Sequence, residues 1–139
     1  MSKISVSEMQ NFFDREFPQS GTMGEITHLG TNFAQMKLIV DNTHLRPGGT
    51  VSGPAMMALA DVTLYAAILN EIGLVALAVT TNLNINFLRK PQANCPIIAK
   101  ATLIKLGRSL AVGEVAIYSE GSEDMVAHAT LTYSIPPKR

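Results

Sequence analysis

Pro54-Ala-Met-Met-Ala-Leu-Ala-Asp61-Val-Thr-Leu-Tyr-Ala-Ala-Ile-Leu-Asn-Glu71 reads as one helix of about five turns, roughly 27 Å long at 1.5 Å per residue. Pro54 suits the first helical position, where a missing N–H costs nothing, and either Ser52 or Gly53 can cap it. Gly73 suits the position just past the end. Met56, Met57, Leu59, Val62, Leu64, Tyr65, Ile68 and Leu69 leave no clean polar face. Such a helix belongs inside other elements, not on a surface. Asp61 is its one interior charge. A carboxylate on a buried helix is costly unless it is paired, hydrogen-bonded or neutralised.

Working outward, the loop over residues 41–53 is dense in turn formers: Asn42, Pro47, Gly48, Gly49, Ser52 and Gly53. Before it, residues 24–29 and 32–40 form two strand-like runs around Gly30 and Thr31, a hairpin. The first 17 to 19 residues predict a short amphipathic helix, with Val6, Met9, Phe12, Phe13 and Phe17 at helical spacing and Pro18 as its stop. After Gly73 the pattern turns to strands, over 74–87, 96–106, 110–119 and 125–135. In the first of these, Leu83, Ile85 and Phe87 alternate with Asn82, Asn84 and Asn86. The three amides suit a second interface between subunits or a solvated face. A hairpin, one buried helix and four strands joined by short turns predict an α+β fold in one domain over 1–139. An antiparallel sheet must curl to cover the helix.

Composition narrows the function. Lysines plus arginines balance aspartates plus glutamates at 11 each, so no basic patch advertises nucleic acid. With 47% hydrophobic and 16% charged residues, the chain is apolar enough to predict burial against copies of itself. The helix falls short of a membrane span by length and carries Asp61 near its middle. Residues 1–19 lack a basic region followed by an apolar run, so a cytoplasmic protein is expected. Cys95 stands alone, without a His or Cys cluster to make it a metal ligand.

The loop–helix junction is the first candidate for chemistry. The opening N–H groups of a helix lack internal partners and carry partial positive charge, so they bind oxyanions and polarise carbonyls. Asp61 lies two turns on, about 12 Å along the axis. One carbonyl cannot touch both within one helix. It can if helices from two subunits run antiparallel, each giving its N-terminus to the other's Asp61, which asks for a homodimer with two shared sites.

The order of elements, the glycine loop and the mid-helix acid resemble the hotdog fold, and in particular the phenylacetate-degradation-type (PaaI-like) acyl-CoA thioesterases. That family carries Asn-x-x-Gly-x-x-His-Gly-Gly, with a catalytic acid eight residues after the first Gly of His-Gly-Gly. Here that Gly is Gly53 and the acid Asp61, while Arg46, Ser52 and Pro54 stand at the family's Asn, His and second Gly. The similarity spans residues 22–135 and includes Asn84-Ile85-Asn86-Phe87-Leu88-Arg89-Lys90-Pro91 and Gly107-Arg108. It implies hydrolysis of a small or medium acyl or aroyl thioester of coenzyme A, with no metal and no cofactor beyond the coenzyme in the substrate. Gly53 N–H would stabilise the oxyanion, and Asp61 would act as general base or as nucleophile. Ser52 and Thr80 would stand close to the reaction, Thr80 beside the attacking water.

Arg89, Lys90 and Arg108 would reach the phosphates of coenzyme A. Arg46 could pair with Asp61 or select acyl chains bearing a carboxylate or ring hydroxyl, and His44, two residues earlier, is a further substrate contact. His28 and His128 read as structural. Two alternatives accompany the thioesterase. One is a hotdog protein that binds acyl-CoA without turning it over; the other is an enoyl-thioester hydratase, which wants an Asp–His pair in one loop and against which Asp61 on the helix counts. A dimer follows from the shared site, and the apolar composition allows a dimer of dimers through the outer sheet face.

Overall fold

The computed structural model describes residues 3–137. Residues 1 and 2, part of the expected N-terminal helix, and 138 and 139, part of the expected domain, lie outside the described residues. Helix α1 (Val6–Glu16) starts later than expected because Ser5 and Glu8 form a reciprocal cap. The Ser5 hydroxyl accepts from Glu8 N–H at 3.1 Å, and the Glu8 carboxylate accepts from Ser5 N–H at 3.0 Å. Past Phe17 the chain tightens into a 3₁₀ turn (Pro18–Thr22). Strands β1 (Glu25–Gly30) and β2 (Phe33–Leu38) form the expected hairpin.

The central helix is α2 (Gly53–Ile72), 20 residues long. Of the two cap candidates, Ser52 is the cap: its hydroxyl accepts from Ala55 N–H at 3.2 Å. Gly53 is therefore the first helical residue and Pro54 the second, one place later than expected. Gly73 takes φ +97°, a left-handed exit. By length and composition α2 could cross a bilayer, against the expectation that it is too short, yet 67% of its most apolar window is buried within the protein.

That burial comes from β3 (Val79–Phe87), β4 (Ile97–Leu106), β5 (Leu110–Ser119) and β6 (Met125–Ser134), which join the hairpin in one antiparallel sheet of order β1-β2-β4-β5-β6-β3. The sheet curls around α2, giving the curved-sheet, single-helix architecture expected. Alternation along β6 turns Ala127, Ala129, Leu131 and Tyr133 inward. Gly113 on β5 makes room for a helix side chain: a Cβ there would collide with Leu64 and sit 2.9 Å from the Thr102 carbonyl oxygen. Strand β3 starts at Val79 rather than near Leu74. Residues 74–78 are held in turns, with Val75 N–H on Gly73 O at 2.8 Å and the Tyr65 hydroxyl donating to Ala76 O at 3.0 Å.

The two edges of the sheet differ. On β1 the register shifts between Ile26 and His28, and Gln10 from α1 accepts the Ile26 N–H at 3.1 Å. On β3 one side pairs with β6 and the other pairs with no strand of the sheet. Beside that open edge, α2 leaves Pro54, Met57, Ala58 and Asp61 incompletely buried, a stripe at spacings of three and four. The expectation of a helix buried all round therefore fails along one line, and that line faces outward next to an unpaired strand.

Candidate active site

Asp61 is held on one side only. Thr80 Oγ1 donates to Asp61 Oδ1 at 2.5 Å, and the Tyr133 hydroxyl reaches the same oxygen at 2.7 Å and the Asp61 carbonyl oxygen at 2.9 Å. Oδ2 has no protein donor among the described residues. Thr80 owes its aim to a bulge. Thr80 pairs with Tyr133 and Leu83 with Leu131, both inward positions, while the register slips by one between Thr80 and Asn82. Without that extra residue, strict alternation from Leu83 would turn Thr81 inward in place of Thr80.

Tyr133 was not among the residues singled out from the sequence. Its signal was there: the inward face of the last strand ends in a phenol, and a buried phenol needs a partner. It is 3% exposed, and its ring stacks on Tyr65 at 6.1 Å between centroids. Burial first, and the neighbouring Asp61 carboxylate second, push its ionisation well above the usual tyrosine range. Tyr133 thus keeps its proton and remains a donor. Tyr65 is also pushed up, by burial and then by Glu16.

Asp61, Thr80, Tyr65 and Tyr133 line a cleft of ≈ 270 Å³ together with Glu16, Phe17, Ala76, Ala78 and Val79. Gly53 is elsewhere. It lines a second cleft of ≈ 410 Å³ with Arg46, Met56, Phe87, Arg89 and Lys90 among its walls. The Phe87 ring lies so close that a Cβ on Gly53 would stand 3.3 Å from it. The first turn of α2 carries no acid, so three cationic side chains and a helix N-terminus converge with no acidic residue in the lining. The two clefts lie at opposite ends of β3, one by Val79 and the other by Phe87.

The expected residues therefore divide. Thr80 joins Asp61. Arg46, Arg89 and Lys90 join Gly53, and Arg89 is steadied by its Nε donating to Met125 O at 3.0 Å. Arg46 does not pair with Asp61 within the chain, because they occupy different clefts. Ser52 accepts from the helix as its cap, leaving its own proton free. His44, expected to contact substrate, is instead committed to the loop: Nδ1 accepts from Asp41 N–H at 3.0 Å and Nε2 donates to Thr22 O at 2.8 Å. Arg108 lines neither cleft. It is exposed in the β4–β5 turn, at the sheet end where β3 begins, since Leu110 and Val79 both pair with Ser134. Among the described residues no cluster of three His, Cys, Asp or Glu side chains is placed to hold a metal ion.

Comparison with known proteins places the sequence and the fold. Residues 48–126 match the profile of the Thioesterase superfamily. A protein of Silicibacter sp. TM1040 classed as a thioesterase superposes with TM-score 0.90 at 46% identity, covering 99% of this chain and 95% of that one. The phenylacetic acid degradation protein PaaI of Thermus thermophilus superposes with TM-score 0.74 at 28% identity, over 86% of this chain and 99% of its own. A Thermoplasma acidophilum protein classed as an esterase is 25% identical over 117 residues, 80% of this chain and 82% of that protein.

Proposed function

This chain belongs to the thioesterase superfamily and is a hotdog-fold thioester hydrolase, and from that premise we propose that it cleaves acyl-CoA thioesters at sites shared between two subunits. The observation that carries the proposal is the separation of Gly53 and Asp61 into two clefts at opposite ends of β3. Each chain holds two different halves of one site.

A second copy supplies what is missing. If β3 pairs antiparallel with its own copy about a two-fold axis near Leu83, Val79 of one strand faces Phe87 of the other. The Asp61 cleft of each subunit then meets the Gly53 cleft of its partner. The open β3 edge, a ready template for another strand, supports this arrangement, as does the uncovered Pro54–Met57–Ala58–Asp61 stripe on α2.

In the joined site the Gly53 N–H points at the thioester carbonyl oxygen and stabilises the oxyanion as it forms. Asp61 Oδ2, the oxygen free of protein donors, either takes a proton from water as water attacks the carbonyl carbon or attacks that carbon itself. In the second route water then hydrolyses the anhydride. Either way one water is consumed, the C–S bond breaks, and the thiol leaves with a proton. Thr80 and Tyr133 fix the carboxylate through Oδ1. Arg46, Arg89 and Lys90 supply charge for the phosphates of the coenzyme, with Arg108 from the neighbouring sheet end. No cofactor is needed beyond the coenzyme in the substrate.

Thiol release from a panel of acyl-CoAs tests this directly. We expect turnover by the wild type and a loss of at least ~100-fold in kcat for Asp61→Asn, with fold and dimer intact. Stabilisation by acyl-CoA without turnover of any substrate would make the protein a binder instead.

A further inference from the structure

The two clefts differ in chemistry as well as in place. The one containing Gly53 is cationic; the one containing Asp61 has no Lys or Arg in its lining and two acids, Asp61 and Glu16. Arg15 does pair with Glu16 at 3.2 Å, but it lies outside that lining. A thioester has two arms of opposite character, one ending in phosphates and one an acyl chain. Beside the acids and Thr80, which is spent on Asp61, the walls of this cleft are rings and small apolar side chains: Phe17, Tyr65, Tyr133, Ala76, Ala78 and Val79. The polar tips of its two tyrosines are spent, Tyr65 on Ala76 O and Tyr133 on Asp61, so away from the two acids the cavity offers aromatic and small apolar surface.

Phe17 forms the wall of this cavity contributed by the N-terminal segment, and it is fixed there. Its N–H donates to Phe13 O at 2.7 Å, and its carbonyl accepts from Ser20 N–H at 3.0 Å and Ser20 Oγ at 2.7 Å. Its ring meets Tyr65 edge-on at 6.1 Å and Phe13 at 6.4 Å.

We propose that the cavity beneath Asp61 receives the acyl group, that this group is uncharged and apolar, and that Phe17 sets the longest chain accepted while Glu16 rejects a terminal carboxylate. This deepens the proposed thioesterase reading and rests on it. It also reverses the sequence expectation that Arg46 selects acidic acyl groups, because Arg46 belongs to the cationic cleft. Each methylene that gains an apolar wall strengthens binding about fourfold, so a cavity lengthened by removing a phenyl ring should be read easily in chain-length preference.

The test is kcat/KM for straight-chain acyl-CoAs from four to ten carbons and for a dicarboxylic acyl-CoA of matched length. We expect Phe17→Ala to raise the ten-to-four-carbon ratio by at least about tenfold. Ala76→Phe, which fills the cavity from an exposed turn position, should lower that ratio, and decides the matter if Phe17→Ala does not fold. The dicarboxylic substrate should be at least about tenfold poorer than its neutral match, and Glu16→Gln should narrow the gap. Unchanged length profiles in folded, active variants would overturn the cavity assignment while leaving the thioesterase reading intact. If the wild type hydrolyses none of these substrates, that reading fails by itself. The cavity is then judged by the rise in Tm. A rise that follows acyl length and shifts in the variants supports the assignment; equal rises with coenzyme A and every acyl-CoA contradict it.

Discussion

At the scale of the residue, Asp61 is a carboxylate satisfied on one oxygen. Thr80 and Tyr133 both serve Oδ1, so the side chain cannot rotate without losing both bonds, and Oδ2 stays available for chemistry. That the acid needs partners could be read from its isolation in an apolar helix. That Tyr133 orients it could not, because the two are 72 positions apart and meet only through the pairing of β3 with β6. Replacing Tyr133 with Phe keeps the ring stack on Tyr65 and removes only the donor. We expect kcat to fall by about 10- to 100-fold with little change in KM, since a hydrogen bond to a charged group is worth about 1.5–3 kcal/mol. The same variant has a signature in stability. The unfolded phenol ionises near pH 10, whereas the buried one holds its proton to higher pH. Stability from this group is therefore complete below pH ~10 and declines as pH rises past it. Denaturant titrations between pH 9 and 11 should show a shallower decline for Tyr133→Phe than for the wild type; equal slopes would contradict this account of the buried phenol.

At the scale of the element, helix α2 and the order of strands were legible because their signals are local: an apolar run with Asp61 inside it, turn residues at its start, and period-two alternation after it. Boundaries were less so. Ser5 and Glu8 delay α1 through a cap that spacing of apolar residues does not show, and residues 74–78 read as strand although Tyr65 draws them into turns. The bulge on β3 was also invisible, since nothing in Thr80-Thr81-Asn82 distinguishes the residue that slips. Gly113 is a further case. Within a strand it carries no turn signal, yet it is the point where Leu64 presses against the sheet. Gly113→Ala should cost about 1–3 kcal/mol through overpacking, read as a lower denaturant midpoint. Because Gly113 touches neither cleft, the folded variant should keep its turnover. A variant as stable as the wild type would show that the helix can shift to make room.

At the scale of the whole molecule, the proposed division of the site between two clefts accounts for features that look unfavourable in one chain. Val79 and Phe87, at the ends of the open strand, are 54% and 48% exposed, and the stripe on α2 beside them is partly bare. A protein that gathers three cations around a helix N-terminus, with no acid in the cleft, has prepared for an anionic ligand. The expectation of a second subunit came from helix geometry, because Gly53 and Asp61 are separated by two turns, and the dimer proposed above is built on it. Which residues accompany each of them did not follow, and His44 was misplaced because its loop folds back on Thr22.

Mixing subunits tests the shared site most directly. Asp61→Asn removes the acid, and Gly53→Pro removes the oxyanion N–H at the first helical position, which tolerates proline. Each homodimer should be inactive. Unfolded together and refolded at equal amounts, half of the dimers carry one variant of each kind, and in each of these one site has both its acid and its N–H. Thiol release should then return to about a quarter of the wild-type rate. A mixture no more active than its parents, although heterodimers have formed, would contradict a site built from two chains.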